Sequence, residues 1–227
     1  NVGPSVTYKL RDAAGQAREY HNYMLPVDLG DGVPVYLLGM RETPAEAFRY
    51  LRVPIDAQGT AEDFFRLRSA LADPAMRALA VRRYALRMID PARKDLLPQL
   101  SASALRALAL FSGAESVAGS SAPGGLQAVA DFMEGNVPEA ERARAGEMLV
   151  RILNGTLFEL LQVARERAGL QPLPADETTQ AYMTQAVLAL SDAHFYPAPM
   201  ALQLVDFQQV QASVFQVARA PGKTIVY

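Results

Sequence analysis

Phe48-Arg49-Tyr50-Leu51-Arg52-Val53-Pro54 is followed, after a short break, by Thr60, Asp63, Phe64, Leu67 and Leu71, and here the chain changes character. Residues 47–55 carry Phe48, Tyr50, Leu51, Val53 and Ile55 and read as a strand ended by Pro54. Side chains of a strand point alternately to its two faces, so Arg49 and Leu51 share one face and Phe48 and Tyr50 the other. From Phe64 onward the apolar residues return every three or four positions, the spacing of one helix face. Thr60 with Asp63 resembles a capping box, with Asp in place of the usual Glu.

Upstream of this change the chain reads as strands. Val6, Tyr8 and Leu10 alternate with Thr7 and Lys9. Ala13-Ala14-Gly15-Gln16 is a turn, and residues 17–24 form a second extended run with Tyr20, His21 and Tyr23. Gly30-Asp31-Gly32 is a turn signal, because Gly and Asp tolerate positive φ. Residues 33–40 form an apolar strand with Pro34 near its start.

Downstream the chain reads as helices. Asp73-Pro74 opens one, with Asp as N-cap and Pro at the first position. Leu97, Leu100, Ala104, Leu108 and Phe111 mark another, and Leu126, Val129 and Met133 a weaker partner. Between these two lies a Gly/Ser/Ala-rich surface loop, residues 113–125, ending in Pro-Gly-Gly. The clearest helix runs from Pro138 to about Ala168, with Gly169 suited to its C-terminal cap. Residues 176–191 form the last, broken by Tyr196-Pro197. Strand character returns in residues 200–207 and 212–218. The expectation is therefore an α+β fold, a mostly antiparallel sheet from N- and C-terminal strands with a helical middle. Residues 1–56 and 197–227 would close one sheet, and residues 57–196 would be a helical insertion or subdomain.

At 227 residues the chain buries enough surface to need neither disulfide nor metal for stability. Its formal net charge is −2 and its arginines are scattered. Nucleic acid is therefore not an expected partner, since phosphates require clustered cations. It has no cysteine, which removes thiol catalysis and thiolate metal sites. No apolar run approaches the roughly 20 residues that span a bilayer. The chain starts at Asn1 without a methionine and stops on Thr224-Ile225-Val226-Tyr227, so its ends read as cut from a larger parent.

No catalytic constellation is legible. The two histidines, His21 and His194, have no metal-site spacing. Ser191, Asp192 and His194 fall within four residues, but triads are assembled from distant segments. Asp63, Asp73, Glu139 and Asp176 sit where helix starts favour carboxylates. Asn154-Gly155-Thr156 matches a glycosylation sequon but falls inside the long helix. The expectation is no catalytic residue and no metal ligand.

The unusual concentration is aromatic and basic. Tyr8, Arg11, Tyr20, Asn22 and Tyr23 lie in the first two strands, and Arg49, Tyr50 and Arg52 in the fourth. An ordinary sheet with one wet face accounts for them. They also make a candidate partner-binding set, because Tyr and Arg are favoured interface anchors.

Several stretches resemble the ResB family. They are Asn1 to Asp12, Gln16-Ala17-Arg18-Glu19-Tyr20, Asn22-Tyr23-Met24, Phe48 to Pro54 and Tyr196-Pro197. Gln211 to Val217, with Pro221-Gly222-Lys223, is similar to that family's final segment before a transmembrane helix. The resemblance covers both ends, and the helical middle is less distinctive.

The resemblance implies a System II (Ccs) cytochrome c biogenesis protein of the bacterial inner membrane. Its large loop would face the periplasm, and its partners would be a ResC/CcsA-type membrane subunit, apocytochrome c and a thiol-disulfide reductase. Haem is implied for the full complex, which would act as the haem lyase. No cofactor is expected in this fragment, which lacks the tryptophan-rich haem-handling motif and gives no match for a haem ligand. The alternatives are a structural spacer between membrane helices, or an enzyme with an unrecognised carboxylate or Ser site.

Overall fold

Asp12 makes the first turn: its Oδ1 accepts from Ala14 N (3.0 Å) and Gln16 N (2.9 Å), and Gly15 supplies a φ of 84°. Strands β1 (Ser5–Arg11) and β2 (Ala17–Tyr23) meet across it as an antiparallel pair. Asp28 does the same for the next connection, accepting from Gly30 N and Gly32 N. It leads into β3 (Val35–Arg41), and β4 (Arg49–Pro54) follows. The computed structural model describes residues 3–30, 32–116 and 123–197. Within them the sheet is a four-stranded antiparallel meander in the order β1-β2-β3-β4. The expected strands at 200–207 and 212–218, Asp31 of the Gly-Asp-Gly turn and residues 117–122 of the loop lie outside the described residues.

Among the described residues six helices follow: α1 (Glu62–Ala72), α2 (Pro74–Met88), α3 (Leu97–Ser112), α4 (Gly125–Asn136), α5 (Glu139–Arg167) and α6 (Glu177–Asp192). Short 3-10 turns occupy Pro91–Leu96 and Ala193–Phe195. The protein is α+β. Asp73 caps α2 by accepting from Ala75 N and Met76 N, and Asp176 caps α6 by accepting from Thr179 N. Gly169, at φ 71°, ends α5 while Leu170 N returns to Arg165 O. The sequon residue Thr156 is buried inside α5, its hydroxyl donating to Ile152 O.

The start of α1 departs from the expected capping box. Asp63 does not cap the helix. The Asp56 carboxylate gathers the backbone instead, accepting from Gln58 N, Thr60 N, Thr60 Oγ1 and Asp63 N at 2.6–3.2 Å. Asp63 is buried and ion-paired with Arg165 of α5 and with Arg66. The local spacing suggested a cap. The partner that decides its role lies 102 residues away.

The helices pack on one face of the sheet. Tyr20, Tyr36, Leu38, Met40, Leu51 and Val53 point into them and join one core with Phe64, Leu67, Leu108, Phe111, Leu157, Leu160 and Leu190. Leu51 and Val53 are fully buried, and each such side chain stabilises the fold by about 1.5–3 kcal/mol. A second, smaller cluster lies on the opposite face: Val27, Val35 and Leu37, with Tyr23 and Tyr50 packed on it.

Candidate functional site

The strand register fixes two rows across the sheet. Tyr8 stands opposite Tyr20, Tyr20 opposite Met40, and Met40 opposite Arg49, forming one line on the helix-covered inner face. Thr7, His21, Gly39 and Tyr50 form the neighbouring line on the outer face. The residues at the end of α6 lie over the inner row. Tyr196 is edge-on to Tyr20, with ring centres 5.4 Å apart, and its hydroxyl lies 3.3 Å from that of Tyr8. Asn22 Nδ2 donates to the Tyr8 hydroxyl at 3.1 Å. Burial, and then the Tyr8 hydrogen bond, push the Tyr196 phenol far above its ordinary value, so it stays a neutral hydroxyl. Tyr20 moves the same way through burial.

The candidate set therefore does not form one patch. Tyr20 and Asn22 are buried and Tyr8 half-buried within the inner row, where they fasten the sheet to Tyr196. Arg49 is exposed at the edge of the same face, its guanidinium 4.4 Å above the Phe195 ring. Tyr23, Tyr50 and Arg52 are on the outer face, with Arg52 exposed. Arg11 ends β1 and donates to Gly15 O.

The outer face is an aromatic field. His21 stacks on Tyr23 (5.1 Å) and meets Phe48 edge-on (5.2 Å), while Tyr50 Oη lies 3.4 Å from His21 Nδ1. Arg41 lies over Phe48 at 4.4 Å. Gly39 makes the field possible. A Cβ there would stand 2.8 Å from the Tyr50 ring and 2.9 Å from His21 O, closer than packed atoms allow. Lys9, Glu19 and Arg41 complete the face as an ion triplet, with contacts of 2.8 Å and 2.6 Å to the carboxylate. The Lys9 hydrogen bond, then that of Arg41, holds the Glu19 carboxyl below its ordinary range.

The second feature was not legible in the sequence. A cleft runs past Arg49, His194 and Phe195. On one side it widens between Arg18, Arg41, Glu42 and Glu46 into a space of about 320 Å³. On the other it opens as a groove of about 650 Å³ bounded by Gly124, Gln127, Ser191 and Asp192. Pro123-Gly124-Gly125 shapes it by close approach. A Cβ on Gly124 would meet His194 at 2.6 Å, and one on Gly125 would meet the Ser191 hydroxyl at 2.6 Å. Ser191 Oγ accepts from Leu126 N at 2.8 Å and, among the described residues, makes no hydrogen bond with His194. The His194 ring is exposed at the surface, yet the protein crowded around it, and then the Arg68 charge, lower its pKa.

Among the described residues no group of three or more His, Asp or Glu side chains is placed to hold a metal. No described helix is long and apolar enough to cross a membrane. His21 on the outer face and His194 at the end of α6 are not brought together.

Comparison with protein families finds a match to the family described as ResB-like, over residues 1–227, the whole chain. No curated protein and no solved structure matches.

Proposed function

This chain belongs to the ResB-like family, whose members are components of cytochrome c biogenesis, and from that premise we propose that it is the periplasmic ectodomain of a membrane-anchored assembly factor. It supports haem delivery and attachment to apocytochrome c together with a ResC/CcsA-type membrane subunit. Its own contribution is to dock protein, with apocytochrome c as the occupant. Haem is cargo of the complex in this reading, and the membrane subunits carry it.

One observation supports docking above the alternatives. The sheet's inner face is filled by helices, whereas the packed cluster on its outer face contains no helix residue among the described ones. Tyr23 and Tyr50 lie there beside exposed Arg52. Tyrosine and arginine carry a disproportionate share of interface energy because they combine large contact area with directed donors.

The test is a binding titration of the purified 227-residue chain with apocytochrome c. Tyr23→Ser and Arg52→Glu are compared with wild type, and thermal unfolding of each variant is measured in parallel. Weakened binding by folded variants is the expected result. Wild-type binding by both variants would remove the outer face from consideration.

A further inference from the structure

The cleft at the end of α6 has a charge arrangement that selects its ligand. Three arginines line or flank it, and they differ in what they already hold. Arg41 is fixed on the Glu19 carboxylate and also donates to Pro44 O and Glu46 O. Arg18 lies 3.9 Å from Asp12 and 4.0 Å from Glu42. The Arg49 side chain makes no ion pair and no hydrogen bond among the described residues, and its guanidinium lies over the Phe195 ring. Stacking on an aromatic ring fixes the plane of a guanidinium and leaves its N–H edge free, the geometry that matches a carboxylate.

The surroundings narrow the ligand further. Glu42 and Glu46 stand at one end of the cleft and Asp192 at the other. Those carboxylates repel a polyanion, because like charges at short range cost several kcal/mol in general. They favour a ligand with one central negative charge and neutral or positive flanks. A small free anion uses little of the groove beside Arg49, whereas a chain segment can run along it.

We infer that this cleft receives an Asp or Glu side chain on a segment of a protein partner, with Arg49 as the group that binds the carboxylate. The inference rests on the docking reading only for the source of that carboxylate. His194 lines the same cleft and adds hydrogen-bonding capacity beside Arg49.

Fluorescence anisotropy with two labelled, end-blocked peptides tests this. One carries a single glutamate between lysines, and the other carries glutamine in its place. The glutamate peptide should bind about tenfold or more tightly than its counterpart, the scale of a lost charge-assisted pair. That preference should shrink with added salt and vanish in Arg49→Gln. It should survive in Arg82→Gln, on an exposed part of α2 away from the cleft. Acetate should compete better than orthophosphate. Equal binding of the two peptides, an unchanged preference in Arg49→Gln, or stronger competition by orthophosphate would each overturn the inference.

An apocytochrome c titration separates the two readings. If wild type does not bind it, the proposed function fails while the peptide result stands. If wild type and Arg49→Gln bind it equally, the cleft is not where that partner docks and the present inference falls.

Discussion

Arg165, near the end of α5, is ion-paired with the buried Asp63 in the first turn of α1. Both side chains are almost wholly inaccessible, at 6% and 1%. Removing one member of such a pair leaves an uncompensated charge in the interior, which costs about 3–5 kcal/mol. Asp63→Ala should therefore lose about that much stability in urea unfolding. Replacing both residues by apolar ones should cost much less than Asp63→Ala alone. A near-neutral Asp63→Ala would show that water reaches the pair.

Gly39 is expected to be intolerant of even one added methyl group. Its Cβ would press on the Tyr50 ring and on the His21 backbone. Gly39→Ala should destabilise by about 1–3 kcal/mol, the range for overpacking. Adding Tyr50→Ser should recover only part of the loss, because the backbone clash remains. Thermal melts of the two variants decide it.

His194 gives a pH dependence of known sign. Crowding and the Arg68 charge depress its pKa in the folded protein. Between the ordinary value near 6.5 and the depressed one, the unfolded chain holds more protons than the folded chain. Stability from this group is thus complete above that ordinary value and declines as pH falls through the window. In His194→Gln this part of the acid-side slope should disappear. Proton NMR should place the His194 transition below that of a free histidine, and the chain has only one other imidazole to assign.

The docking reading predicts a division between the two sheet faces. Tyr23→Ser combined with Arg52→Glu should weaken apocytochrome c binding by about thirtyfold or more, the scale of an interface anchor. Tyr8→Phe should leave binding intact and lower the melting temperature, because that hydroxyl is shared with Asn22 and Tyr196 inside the fold.

Haem supplies the remaining check. Titrated into the isolated chain, it should give no saturable Soret shift, since His21 and His194 occupy separate parts of the molecule. A saturable shift abolished by His21→Ala or His194→Ala would place haem handling in this domain.

The strands were legible because a period of two is a local property and Asp- or Gly-bearing turns join them. The helices followed from equally local repeats and caps. Alternation also separates Leu51 from Tyr50, but it does not say which face the helices cover. That is why Tyr20 and Asn22 entered one candidate set with Tyr23 and Arg52. Asp63 was misread for a related reason: Arg165 is remote in sequence. The cleft was illegible because Phe195, His194 and Gly124 acquire meaning only when α4, α6 and β4 converge. The Pro-Gly-Gly run was a signal, but it read as loop punctuation rather than as close approach.

The contact between Tyr8 and Tyr196 joins residues 188 positions apart. The described chain thus enters its body in β1 and reaches its last described residues beside that same strand. The pair therefore closes a ring that contains nearly all of the described chain, so the first strand of the sheet and the turn after α6 hold each other in place.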